Sequence, residues 1–200
     1  MKRSNLFRLK TCAIIGLSFL VINQIMLLGG NEFIQTQQPI DYAHWLLFIG
    51  VLLSLSINQI LSGSYFSNTA SIITAIGVVA LLGQAVIDFL WWSYGTDYEG
   101  MNTLTDQIMN NPSIRIPFMT IGPAFFYLGL AIHVFKYFRK QFFGSIITIV
   151  GVIITGVGSF VFDSRQAIVL GHIVMSTGII YLLIKIDTTK NKSIENVAQQ

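Results

Sequence analysis

SIITAIGVVALLGQAVIDFLWWSY, residues 71–94, is an apolar run long enough to cross a bilayer, yet it contains Gln84, Asp88 and the pair Trp91-Trp92. About 20 mostly apolar residues span the hydrocarbon core as a helix, and a carboxylate inside such a helix is costly enough to mark a functional site by default. Gln84 and Asp88 stand four residues apart and so share one helical face, which Leu81 and Gly77 continue toward the other end. That face is expected to point at protein or water rather than at lipid.

The rest of the chain has the same character. Of its 200 residues 53% are hydrophobic and 10% charged, whereas soluble proteins are about 25% charged, and the mean hydropathy is +0.66. These values imply an all-α polytopic membrane bundle, with no soluble stretch long enough to form a second domain. Residues 1–186 are expected to form that single domain, and the polar residues 187–200 a disordered cytoplasmic tail. The pI of about 9.1 does not signal nucleic acid, because the basic residues fall where membrane topology puts them and form no patch beside stacking aromatics. Cys12 is the only cysteine, which excludes an internal disulfide, a CxxC pair and a cysteine-rich metal site.

Six spans are predicted, at about 11–28, 44–61, 71–94, 117–135, 142–162 and 166–186. The basic start followed by an apolar run looks like a secretory signal, but Asn23-Gln24 interrupts the apolar region and no A-x-A-like site follows, so a retained first helix is expected. Residues 29–41 read as a polar loop. Residues 93–113 form the longest connection. Within it Thr103 to Asp106 fits a loose capping box ahead of Ile108 and Met109, which predicts a short surface helix stopped by Asn110-Asn111-Pro112. Pro123 is expected to kink the fourth span.

Six spans put both termini on one side, and ten of the twelve Lys and Arg residues lie there, leaving only Arg115 and Arg165 opposite. The positive-inside rule then makes the termini cytoplasmic and the location a cell membrane. Trp45, Trp91 and Trp92 fall at the outer boundary and suit an aromatic belt. An internal echo is also visible: SIITxxGV occurs at residues 71–78 and again at 145–152, as a duplication or simple compositional bias would produce. Asn-Gln between isoleucines likewise recurs at Asn23-Gln24 and Asn58-Gln59.

On the helical rise of about 1.5 Å per residue, Asn23, Gln24, Gln84, Asp88 and His172 lie in the outer half of the bundle, with His44 at its boundary. Asn58, Gln59 and His133 lie toward the cytoplasm. Asp88 stands near the C-terminal end of its helix, and Arg115 and Arg165 near the N-terminal ends of theirs, the wrong ends of the helix dipole for isolated charges. Partners would remove that penalty: Arg115, Arg165 or His172 for Asp88, and Asp163 for Arg165. The alternative is that the two arginines and nearby helix N-termini hold an anionic group such as a carboxylate or lipid phosphate. The binding candidates are thus Asp88, Gln84, His172, Gln24, Asn23, His44, Trp91, Trp92, Arg115 and Arg165. The bland role for each is an interhelical hydrogen bond or interfacial anchoring.

Three histidines raise the question of haem. Bis-histidine ligation needs matching depth, and His133 and His172 differ by about 18 Å on the helical rise. His44 with His172 would require considerable tilt, so no cofactor is expected. No H-E-x-x-H, G-x-S-x-G or Walker A motif occurs. The reading that follows is a non-enzymatic protein with an outward-facing polar pocket that binds or transports a small solute or lipid, using Asp88 as proton or cation site. A membrane-embedded enzyme or redox protein, and a structural or assembly subunit, are the alternatives. In a Cys12→Ala background, Ser193→Cys is expected to resist an impermeant thiol reagent added to intact cells. Labelling from outside would invert the topology.

Overall fold

The computed structural model describes the backbone of residues 3–198 and the side chains of residues 4–186. Its elements are helices throughout: α1 (Arg3–Met26), a 3-10 turn (Leu27–Gly29), α2 (Gly30–Gln35), α3 (Tyr42–Ser54), α4 (Ser56–Ile60), α5 (Tyr65–Ser93), α6 (Tyr98–Met109), α7 (Pro112–Ile114), a π-helical segment (Arg115–Thr120), α8 (Gly122–Phe135), α9 (Phe142–Phe160) and α10 (Arg165–Ala198). Among the described residues six helical segments are long and apolar enough to cross a membrane: Ser4–Gln35, Tyr42–Ile60, Tyr65–Ser93, Pro112–Phe135, Phe142–Phe160 and Arg165–Ile186. The chain is a multi-pass membrane protein with an all-α bundle.

Consecutive spans pair as three antiparallel hairpins, α1 with α3, α5 with α8 and α9 with α10. Further packing of α3 on α5, α8 on α9 and α10 on α1 closes the six into a ring in chain order. Small residues make the pairing tight, since membrane helices associate through packing rather than through a hydrophobic drive. A Cβ on Gly77 would run into the backbone of Phe126, one on Gly151 into that of Met175, and one on Gly16 would stand 2.9 Å from the Ser54 nitrogen. In the same crossings Thr74 faces Gly129 and Thr148 faces Gly178. The SIITxxGV echo therefore marks the positions at which the backbones touch in the second and third hairpins. The partner helices echo as well: Gly122, Gly129 and Lys136 in one hairpin have the same spacing as Gly171, Gly178 and Lys185 in the other.

Hydroxyls at these crossings satisfy themselves. Thr74, Thr148 and Thr155 donate to the carbonyls of Ala70, Gly144 and Gly151 at 2.8, 2.8 and 3.0 Å, so these three hydroxyls bring no open donor into the crossings. Leu17, Ile57, Leu61, Phe126, Leu130, Met175, Ile179, Leu182 and Leu183 fill the ring's centre toward the termini. There the side chains of Asn58 and His133 also join α4 to α8. The His133 Nε2–H donates to Asn58 Oδ1 at 2.9 Å, and Asn58 Nδ2 donates to the Ser71 carbonyl at 3.3 Å. The opposite, distal end of the ring is left open.

Several local expectations are corrected. The loop 29–41 contains the helix α2. The second span breaks at Leu55 between α3 and α4. The predicted surface helix is α6, but it starts earlier, capped by Asp97 accepting from the Gly100 N–H at 3.0 Å. Thr103 instead donates to the Glu99 carbonyl inside the helix. Pro123 does not kink a continuous helix. It sits in the first turn of α8, where its missing N–H costs nothing, and the irregularity lies upstream in the π-helical segment. The last helix continues to Ala198, with no Gly or Pro after Gly178 to stop it. The character expected of residues 187–200 falls outside the described side chains.

Gly151→Ala is expected to lower detergent stability by roughly 1–3 kcal/mol through overpacking. Gly156, on the same helix, has nothing within 4 Å of a Cβ, so Gly156→Ala is expected to leave the melting temperature unchanged or raised. Equal melting of the two variants would refute the crossing.

Candidate functional site

Two cavities occupy the distal end of the ring. The inner chamber, about 370 Å³, is walled by all six spans, chiefly by apolar side chains: Leu47 from α3, Leu81 from α5, Met119 from the π-helical segment, Ala124 and Leu128 from α8, Val152 and Phe160 from α9, and Ile168 from α10. The vestibule, about 380 Å³, is more polar and is bounded by Asn31 and Gln35 of α2, His44, Trp91, Trp92, and Met101, Asn102 and Thr105 of α6. Leu27, Gln84, Asp88 and Arg165 belong to both walls. The face of α5 bearing Leu81, Gln84 and Asp88 thus borders the cavities, and Gly77 below them is the crossing point on α8.

The carboxylate of Asp88, 12% exposed, faces His44 rather than any of the partners expected from sequence. Its Oδ2 lies 3.7 Å from His44 Nε2, within ion-pair range but longer than a hydrogen bond. The other ring nitrogen, His44 Nδ1, is 2.5 Å from Asp41 Oδ2. Asp41 is buried, and its Oδ1 accepts the His44 backbone N–H at 3.1 Å, capping α3. One carboxylate therefore starts the helix and orients its first imidazole, leaving Nε2 aimed at Asp88. Since Nδ1 must donate to Asp41, a neutral His44 would present a lone pair to Asp88, whereas an imidazolium would present a proton.

Deeper in the inner chamber His172 is held on both nitrogens. Its Nδ1 lies 2.8 Å from the Ile168 carbonyl, which can only accept, so Nε2 accepts from the Tyr127 hydroxyl at 2.9 Å. This fixes one neutral tautomer and joins α8 to α10. It also leaves neither nitrogen of His172 directed at a metal shared with His44.

The remaining sequence candidates divide. Asn23 donates to the Ala43 carbonyl at 2.9 Å, stitching α1 to α3, and receives the Gln24 amide at 2.8 Å. Gln24 lines the inner chamber, and its Oε1 is buried without a hydrogen-bond partner among the described residues. Trp92 donates to the Ile34 carbonyl at 3.2 Å, tying α5 to α2, while Trp91 Nε1 has no such partner. Arg165 faces both cavities with no carboxylate within 4 Å among the described residues, although it lies close enough for its charge to act on Asp88 and His44. Arg115, exposed at the start of the π-helical segment, lines neither cavity.

Asp41, Tyr127, Gln35 and the α6 residues escaped the sequence reading. Asp41 carried a signal, since an acid three residues before the histidine at a helix start is the N-cap spacing. The others are neutral side chains whose approach depends on tertiary packing. Asp41→Ala removes both the cap and the imidazole's anchor, and is expected to cost about 1–2 kcal/mol of stability. Arg115→Gln should leave melting unchanged. A melting temperature insensitive to Asp41→Ala would contradict this arrangement.

No protein-family model matches the sequence, and comparison with curated proteins and with solved structures finds no similar one.

Proposed function

We propose that this protein binds a small amphiphilic solute or lipid in its distal cleft, with the polar group at Asp88, Gln84 and Arg165 and the apolar part in the inner chamber. The observation that carries the reading is the shared wall: an apolar and a polar cavity meet at one carboxylate, one amide and one guanidinium. Ligand sites commonly combine an apolar lining with a few convergent polar groups in just such volumes. The buried, unpartnered Gln24 Oε1 supports it, because buried polar atoms ordinarily find a partner. With the termini on the cytoplasmic side, as the distribution of Lys and Arg favours, the vestibule faces outward and the protein receives its ligand from outside or from the outer leaflet.

An acid–base enzyme is the second reading, favoured by the short Asp41–His44 contact. The group that His44 faces is a carboxylate, however, and not a hydroxyl or thiol that it could activate. Binding therefore accounts for more of the site than catalysis does.

The test compares wild type, Asp88→Asn and Gly156→Leu, each purified from the same membranes and extracted for mass spectrometry. Gly156 borders the inner chamber, and a side chain there would grow into its open space. Both variants are expected to keep their folded yield. Each should lose a co-purifying amphiphile by about tenfold or more, as removal of roughly 1.4 kcal/mol of binding would produce. Identical extracts from all three proteins would end the proposal.

A further inference from the structure

Four charged or titratable side chains meet at the junction of the two cavities: Asp41 ahead of α3, His44 on α3, Asp88 on α5 and Arg165 on α10. The other elements around the junction contribute only uncharged groups. These are Gln24 from α1, Asn31 and Gln35 from α2, Asn102 and Thr105 from α6, Tyr127 from α8 and Thr155 and Ser159 from α9, while His172 on α10 has both ring nitrogens engaged, by the Ile168 carbonyl and the Tyr127 hydroxyl. Charge arithmetic on the four is simple. With both carboxylates ionised, Arg165 charged and a proton on His44, the cluster is neutral, and moving that proton to Asp88 leaves it neutral. Removing the proton leaves one net negative charge inside the bundle.

Uncompensated charge at such a site is costly, so it is either protonated or occupied by a cation. The geometry says where each would sit. The proton belongs between His44 Nε2 and Asp88 Oδ2, 3.7 Å apart. A cationic head placed against Asp88 from the cavity side would face an imidazolium unless His44 had first released its proton. The unpartnered Gln24 Oε1, on a residue only 9% exposed, adds a neutral acceptor to the chamber beside Asp88. The inner chamber supplies apolar walls for the body of the ligand.

We infer that the ligand of this cleft is a lipophilic cation, and that its binding at Asp88 expels the proton held between His44 and Asp88. The inference rests on the amphiphile-binding reading and names its substrate class. In the exchange the Nε2–H bond of His44 breaks, the proton passes to water in the vestibule, and the cation restores neutrality beside the Asp88 carboxylate. Asp41 is the positioning residue, holding Nδ1 so that Nε2 is the atom that releases the proton. Anionic lipid headgroups are disfavoured in this scheme, because Arg165 would have to outweigh both carboxylates.

Detergent-purified full-length protein is titrated with tetraphenylphosphonium, and separately with tetraphenylborate, which has the same shape and opposite charge. Saturable binding is followed by equilibrium dialysis and proton release by a soluble pH indicator. Below the pH at which the junction titrates, wild type should release about one proton per tetraphenylphosphonium bound, with affinity rising about tenfold per pH unit, and above it both the release and the pH dependence should vanish. Tetraphenylborate should not compete. Asp88→Asn should lose cation binding. His44→Gln should still bind and release a proton, now from Asp88 alone, with the pH at which affinity levels displaced downward from wild type, a shift that a merely structural role for the imidazole would not produce. Tryptophan-fluorescence melting confirms that both variants are folded.

Absence of saturable tetraphenylphosphonium binding, equal affinity for the two ions, or wild-type binding with neither proton release nor pH dependence at any pH would each overturn the inference. The Gly156→Leu extraction separates the two claims. If that variant still loses its co-purifying amphiphile, the cleft remains a binding site and only the cation exchange falls.

Discussion

The close approach of paired helices at glycine is the constraint on which the rest of the bundle depends. Where Gly77 meets the backbone of Phe126, and Gly151 that of Met175, no side chain separates the two helices. Each hairpin is thereby a stiff unit, and the volume that side chains must fill lies between hairpins rather than within them. Toward the termini, large residues such as Phe126, Met175 and Leu182 fill that central space. Distally, the wall mixes apolar side chains such as Leu47, Leu81 and Val152 with Gln24, Gln84, Asp88 and Thr155, which together do not fill it, and the space remains as the inner chamber. Tight pairing in one place and a cavity in another are two results of one packing pattern.

Polar groups in the bundle divide along the same line. Those that join helices are held by at least one hydrogen bond: Asn23 on the Ala43 carbonyl, His133 on Asn58 through Nε2, and His172 between Tyr127 and Ile168. Such bonds contribute on the order of 1 kcal/mol each in membrane bundles and fix how helices face one another. The groups at the cavity junction lack this closure. Gln24 Oε1 and Trp91 Nε1 are unpartnered, Asp88 meets His44 beyond hydrogen-bonding distance, and Arg165 has no carboxylate within ion-pair range among the described residues. Polar residues that specify the fold are thus those bonded across helices, and polar residues available to a ligand are those that border a cavity with an atom unpartnered.

The six spans were legible because length and apolarity alone define a membrane helix, and the prominence of Asp88 followed from its cost in hydrocarbon. Its neighbours were less accessible. Helix-dipole reasoning gave Asp88 an arginine or His172 as partner, but those arguments concern depth and not azimuth. It is the packing of α3 against α1 and α5, with the Asp41 contact orienting the imidazole, that turns His44 toward Asp88. The contributions of α2 and α6 to the vestibule were hidden for a similar reason. Neutral residues on short amphipathic helices carry no sequence mark of which cavity they border. The SIITxxGV echo was visible, yet its meaning as a crossing point required the partner helix to be in place.

The π-helical segment between α7 and α8 has one further consequence. Its hydrogen bonds skip five residues, as from the Ile121 N–H to the Ile116 carbonyl at 2.9 Å, so it holds about one residue more than an α-turn of equal rise. Shortening the chain by one residue here could be absorbed as ordinary α-helix, leaving the Gly122 crossing and everything after it in register. What would change is the heading of the preceding segment, which would swing by about 100° around the axis, the angle of one residue in a 3.6-residue turn. Length variation at residues 115–120 is therefore a route by which a lineage could remodel the rim of the chamber, including the Met119 and Thr120 wall, without disturbing the hairpins beneath it.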